Sequence, residues 1–185
     1  MTLVNNEARY TYEDYCEWDD GERWELINGV PYAMAPGPLS DHQTILVQLT
    51  WMFQSFLDGK PCRLFIAPFD VRLDVGDEDD TVVQPDLFVV CDSSKLADKR
   101  FCKGAPDLVV EILSPSTARH DRLTKLNLYR RAGVREYWII DPDTKIVQVC
   151  VFESGAVNGY GDNDDIPVST LPGCIINLQG VFSQL

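Results

Sequence analysis

Residues 107–113 read Asp107-Leu108-Val109-Val110-Glu111-Ile112-Leu113. A short, almost unbroken apolar run rich in β-branched residues marks a strand buried on both faces. One acid, Glu111, sits inside it. An isolated buried carboxylate costs several kcal/mol or takes up a proton, unless it is paired or binds a metal. The run therefore predicts a central strand and supplies the first candidate functional residue. The plainer reading of Glu111 is an ion pair with an arginine.

Working outward, a helix is expected over about 121–132, closed by Gly133. Strands follow at Glu136–Ile140 and Lys145–Phe152, joined by the turn Asp141-Pro142-Asp143-Thr144. On the other side, Thr81–Val90 is β-branched and interrupted at Pro85-Asp86, where proline removes a ladder donor and implies a bulge or strand end. Arg63–Ala67 and Phe69–Asp74 read as strands leading into a polar turn at Asp77–Asp80. His42, Ile45, Leu46, Leu49, Phe53, Phe56 and Leu57 recur at helical spacing between a Ser40/Gln43 capping box and a stop at Gly59, so a helix is predicted over about 40–58.

Asn28-Gly29 joins two short runs as a hairpin, with Pro31 placing the second strand at an edge. Thr11 and Asp14 form a capping-box pattern for a short helix over about 11–18. The tail after Glu153 carries only short strand signals and a Pro172-Gly173 turn. Together these predict an α/β (α+β) fold: a mixed central β-sheet flanked by helices, with an additional N-terminal hairpin. At 185 residues, one domain over 1–185 is expected.

The composition, 45% hydrophobic and 24% charged, excludes disorder and collagen-like repeats. No stretch approaches the ~18 apolar residues of a membrane span, and the first ten residues lack a signal core, so a cytoplasmic protein is expected. Six cysteines without a CxxC pair, and only two histidines, argue against structural zinc and for reduced core thiols. The net charge of −13 opposes nucleic-acid binding at long range. It is unevenly spread, however: residues 119–135 hold six cations (Arg119, Arg122, Lys125, Arg130, Arg131, Arg135) against Asp121 alone. The plainer reading of that run is a solvated helix face.

Asp86 raises the same question as Glu111 on a second strand, against the alternative of a strand-entry turn. Asp107 lies four residues before Glu111, ~13 Å away along a strand, too far to share one ion with it. Asp86 with Glu111 is the favoured pair. Lys125 lies on the following helix, one turn from Tyr129. Two carboxylates on neighbouring strands with a lysine make a hydrolytic metal centre, and hard oxygen ligands suit Mg²⁺ or Mn²⁺. The plainer readings are a surface lysine for Lys125, a polar strand position for Glu25 and a core or cap histidine for His42. His42 is nonetheless a candidate substrate contact. A P-loop, GxGxxG, nucleophile elbow and EF-hand are all absent.

The segments WELINGV, VQPDLFVV, APDLVVEILSPST and KLNLYRRAGVREYWIIDP resemble the Uma2-type proteins of the PD-(D/E)xK nuclease superfamily, from about Tyr12 to Val151. The resemblance implies a restriction-endonuclease-like core and a divalent-metal nuclease site. Asp86 matches the motif aspartate, Glu111 the motif glutamate, and Glu25 an extra acidic position. The motif lysine normally stands two residues after the acid, where this chain has Leu113; Lys125 is then its relocated counterpart. On this reading Asp86, Glu111 and the Ile112 carbonyl hold the ion, Lys125 positions the attacking water, and Arg122, Arg130 and Arg131 meet the phosphates. The implied substrate is nucleic acid, DNA in the first instance, bound weakly and salt-dependently. A homodimer is expected, with Tyr137 and Trp138 as core or interface. Two other readings stay open: a catalytically inert binding or assembly module, and a metal hydrolase of smaller phosphodiesters.

Overall fold

The computed structural model describes residues 8–34, 37–73, 79–114 and 124–185. The apolar run forms strand β8 (Leu108–Ile112), at the heart of a six-stranded sheet. It pairs antiparallel with β6 (Leu87–Val90) and parallel with β9 (Glu136–Asp141). Beyond β9 lie β10 (Ile146–Val151) and β11 (Ala156–Tyr160), while β3 (Arg63–Ile66) closes the other edge. The sheet is mixed, as expected.

Alternation along β8 feeds two separate cores, which is why the run is apolar throughout. Leu108, Val110 and Ile112 face one core with helix α2 (Ser40–Leu57), whose residues Ile45, Leu49, Phe53 and Leu57 are buried there. The C-terminal pair β12 (Asp165–Pro167) and β13 (Ile175–Asn177), with the terminal helix (Leu178–Phe182), completes this layer. Val109 and Leu113 face the second core, shared with Tyr129 and Leu128 of helix α3 (Leu126–Ala132) and with a second sheet.

That second sheet has five strands in the order β2-β1-β5-β4-β7: β1 (Trp24–Ile27), β2 (Val30–Ala33), β4 (Asp70–Arg72), β5 (Val82–Val83) and β7 (Phe101–Lys103). The Asn28-Gly29 hairpin forms as predicted, with β2 at the edge; Asn28 and Gly29 have φ of 49° and 73°. A Cβ on Gly29 would also crowd the Tyr10 carbonyl at 3.3 Å. The interruption at Pro85-Asp86 is a corner. β5 before it belongs to the five-stranded sheet and β6 after it to the six-stranded one.

Several expectations are corrected. The mixed central sheet is as expected; the N-terminal hairpin belongs to a second, five-stranded sheet, and β12 and β13 form a small pair. α2 covers the predicted span, but its N-cap is Leu39 without a side-chain bond, because Ser40 Oγ turns to Asp41 instead. The Thr11/Asp14 capping box does form, on helix α1 (Tyr12–Cys16). The cysteines are not all reduced: the antiparallel register Arg63↔Val90 sets Cys62 opposite Cys91, and they form a disulfide. Cys102, Cys150 and Cys174 are free and buried. Tyr137 and Trp138 are fully buried, so they are core and not interface. The start of the predicted 121–132 helix and part of the Asp77–Asp80 turn lie outside the described residues. Among the described residues no helix is long and apolar enough to cross a membrane.

Candidate active site

Glu111 emerges from β8 on the face turned towards the five-stranded sheet, in phase with Val109 and Leu113. Glu25, in phase with the core residue Ile27, approaches from β1 of that sheet. Lys125, at the start of α3, fills the space between them. Its Nζ donates to Glu111 Oε1 at 2.9 Å and to Glu25 Oε1 at 3.0 Å. The three side chains are only 5–6% exposed. Lys125 is therefore not a surface lysine, and among the described residues the cation paired with Glu111 is this lysine.

Two further donors, neither among the predicted site residues, complete the cluster. Tyr129, one turn after Lys125, donates its hydroxyl to Glu111 Oε1 at 2.7 Å. Burial, then the nearby Glu111 charge, pushes the Tyr129 pKa well above the phenol's usual value, so the group stays a neutral donor. The Gln84 N–H donates to Glu25 Oε1 at 2.9 Å. Gln84 Nε2 reaches Asp70 Oδ1 at 2.8 Å, which also accepts from Tyr15 at 3.1 Å. Burial raises the Asp70 pKa. The i,i+4 spacing of Lys125 and Tyr129 was the available sequence signal; Gln84 acts partly through its main chain and left none.

Asp86 stands at the corner between the sheets. The register Leu87↔Val110, carried one residue further, sets it across from Glu111. Asp86 Oδ2 accepts from the Ile112 N–H at 2.8 Å and lies 3.2 Å from His42 Nε2. His42 is 9% exposed at the first turn of α2, and its buried Nδ1 has no hydrogen-bond partner among the described residues. The chain thus brings Asp86, Glu111, Lys125, Glu25, Ile112 and His42 to adjoining ends of β8, β6, β1 and α2. Asp107 is elsewhere, accepting from the Cys91 N–H at 2.8 Å at the start of β8.

Of the cations expected at the phosphates, Arg130 and Arg131 do not join this cluster. Arg130 is exposed and lies over the Phe152 ring at 5.4 Å. Arg131 is exposed and reaches Asn28 Oδ1 at 3.4 Å. Arg122 lies outside the described residues. Among the described residues no group of three or more His, Cys, Asp or Glu converges as a metal-ligand set. What is present is a pair of carboxylates and the Ile112 main chain on neighbouring strand ends. Oxygen donors of this kind suit Mg²⁺ or Mn²⁺, which commonly take one or two carboxylates and keep several waters.

Comparison with known proteins agrees with this architecture. A crystal structure described as "a putative nuclease belonging to DUF820 from Anabaena variabilis ATCC 29413" superposes with a TM-score of 0.77 at 20% identity, covering 94% of this chain and 98% of that one. The chain therefore shares the fold of that structure. The uncharacterized protein slr1290 of Synechocystis sp. is 30% identical over 155 residues, 83% of this chain and 74% of its own length. A second Synechocystis protein, sll1609, is 27% identical over 145 residues, 76% of this chain and 80% of its own. Residues 11–179 match the family model described as "Uma2: Putative restriction endonuclease", and the chain belongs to the Uma2 family.

Proposed function

We propose that this protein is a divalent-metal-dependent endonuclease of the PD-(D/E)xK type, hydrolysing phosphodiester bonds in nucleic acid. One observation carries the reading: a buried lysine held between Glu111 and Glu25, beside a strand-end aspartate. Packing alone gives little reason to bury three charges together, because desolvation costs about as much as the pairing returns. The family description and the nuclease named among the structural neighbours point the same way.

In this reading Asp86, Glu111 and the Ile112 carbonyl would hold Mg²⁺ or Mn²⁺. When bound, the ion would supply Lewis acidity, making water more acidic and offsetting charge on the phosphate. Lys125 orients the attacking water and stabilises negative charge developing on the phosphate oxygens. Glu25 fixes the Lys125 ammonium from the opposite side, and His42 steadies Asp86. Arg122, Arg130 and Arg131 meet the backbone of the bound strand, and the positions of Arg130 and Arg131 outside the cluster limit those two to binding. DNA is the proposed substrate. With a net charge of −13, binding is weak and falls steeply with salt.

The reading places the protein in the cytoplasm as a homodimer. Two copies of so acidic a chain repel except where their surfaces are neutral. On the outer face of α2, exposed Val47 and Trp51 lie beside Ile66 among uncharged Gln43, Thr50, Gln54 and Ser55, and among the described residues lining that face Asp58 is the one charge. Light scattering showing a monomer at high concentration would refute the dimer without touching the chemistry.

The decisive test is nicking of plasmid DNA at low salt with Mg²⁺ or Mn²⁺, alongside thermal shift by the same ions, for wild type and Glu111→Ala. Metal-dependent stabilisation and nicking by the wild type alone support the proposal. Neither response in either protein overturns it in favour of an inert binding module. Cleavage of a small phosphodiester with nucleic acid untouched overturns the substrate assignment.

A further inference from the structure

We propose that Tyr129 is a positioning residue for this site, forming with Lys125 a two-point clamp on a single oxygen of Glu111. The inference rests on the proposed nuclease reading and assigns a role to a residue outside the expected motif. Three observations carry it. First, the hydroxyl of Tyr129 and the ammonium of Lys125 both donate to Glu111 Oε1, at 2.7 and 2.9 Å. Second, the two donors stand four residues apart, and such residues share one face of a helix. Third, the Tyr129 ring is wholly buried and held edge-on against Tyr137, with centroids 4.9 Å apart, so the hydroxyl has little freedom to turn away.

The clamp accounts for the missing strand-borne lysine. The position two residues after Glu111 is Leu113, which is buried in the second core. Lys125 instead reaches Glu111 from the helix, with its ammonium shared between Glu111 and Glu25. The Tyr129 hydroxyl adds a second donor from a rigidly packed ring, which restrains the carboxylate's rotation about its last bond. The carboxylate is then presented in one orientation towards Asp86 and the Ile112 main chain. Outer hydrogen bonds of this kind typically change metal affinity or activity about 10–100-fold when removed.

Tyr129→Phe keeps the ring and its packing and deletes only the hydroxyl. Three readouts are taken on the full chain: Mn²⁺ affinity from the free-ion electron paramagnetic resonance signal, kcat and KM on plasmid DNA, and the Lys125 ammonium resonance in ¹⁵N-lysine-labelled protein. The clamp predicts Mn²⁺ affinity weakened about 10–100-fold, a comparable fall in kcat at unchanged KM, and a displaced Lys125 resonance. In a Glu111→Gln background the same change produces no further loss. A lowered melting temperature with Mn²⁺ affinity and the Lys125 resonance both unmoved shows a merely structural tyrosine and overturns the proposal. If the wild type neither binds Mn²⁺ nor cleaves, the nuclease reading falls, and the Lys125 resonance still decides whether Tyr129 sets the clamp.

Discussion

Replacing Lys125 by methionine removes the ammonium that both Glu25 and Glu111 contact and leaves a side chain of similar length. The two carboxylates are 5–6% exposed, so water screens little of the loss. Removing one partner of a buried pair typically costs about 3–5 kcal/mol, mostly as the penalty of a buried charge left uncompensated. Among the described residues one cation serves two acids, which puts Lys125→Met at the upper part of that range at pH 7. For a chain of this size the melting temperature should fall by about 6–20 °C. Urea denaturation followed by circular dichroism gives the free energy, and calorimetry the temperature. The companion variant Lys125→Met/Glu25→Gln/Glu111→Gln removes the charges together and should recover much of the loss. A cost below about 1 kcal/mol for Lys125→Met, with no recovery in the triple variant, would mean that the cluster is open to solvent and the argument for a desolvated site is wrong.

Other outcomes follow from neighbouring features. Glu136 is fully buried and accepts from Trp138 Nε1, the Thr170 N–H and Thr170 Oγ1, so Glu136→Ala strands these donors and should cost about 2–5 kcal/mol in urea unfolding. Asp70 has a folded-state pKa raised above 3.8 by burial, so its protonated form favours the fold. That contribution is full below 3.8 and is lost as pH climbs through the raised value. Asp70→Asn, which keeps an acceptor for Gln84 and Tyr15, should flatten the pH dependence above 4 and stabilise the protein at pH 7, as read by melting temperature across a pH series. The Cys62–Cys91 disulfide spans 29 residues, and its reduction should cost at most about 3–4 kcal/mol by loop entropy. Urea curves with and without reductant measure that loss.

Much of the fold was legible because local physics decided it. Asn28-Gly29 has the backbone freedom a tight hairpin needs, the α2 apolar face recurs at helical spacing, and proline at 85 cannot continue a ladder. Glu111 announced itself because a charge inside Leu108–Ile112 contradicts its surroundings. What stayed hidden depends on register and three-dimensional approach. Cys62 and Cys91 meet only because β3 pairs with β6, and no sequence spacing encodes that. The division into two sheets turns on a three-residue corner that reads equally well as a bulge. Glu136 looked like a strand-entry residue until Thr170, 34 positions away, supplied its donors. Ser40 fits a capping pattern yet spends its hydroxyl on Asp41, since either partner lies within reach. Tyr129 carried the right spacing, but a tyrosine at that spacing is ordinary core until its hydroxyl is seen to point at a carboxylate.

The corner at Gln84-Pro85-Asp86 also has a temporal consequence. The contacts that build the site close loops of very different sizes: Gln84 to Glu25 spans 59 residues, and Lys125 to Glu25 spans 100. Loop closure on that scale is slow to be rewarded, so these contacts are expected among the late steps of folding. An emerging or half-folded chain that has built the α1–β2 segment, or even the hairpin and α2 together, still lacks Glu111 and Lys125. Assembly of the cluster is thus tied to near-completion of the whole domain, and on the proposed reading a chain stalled or truncated before Lys125 is inert.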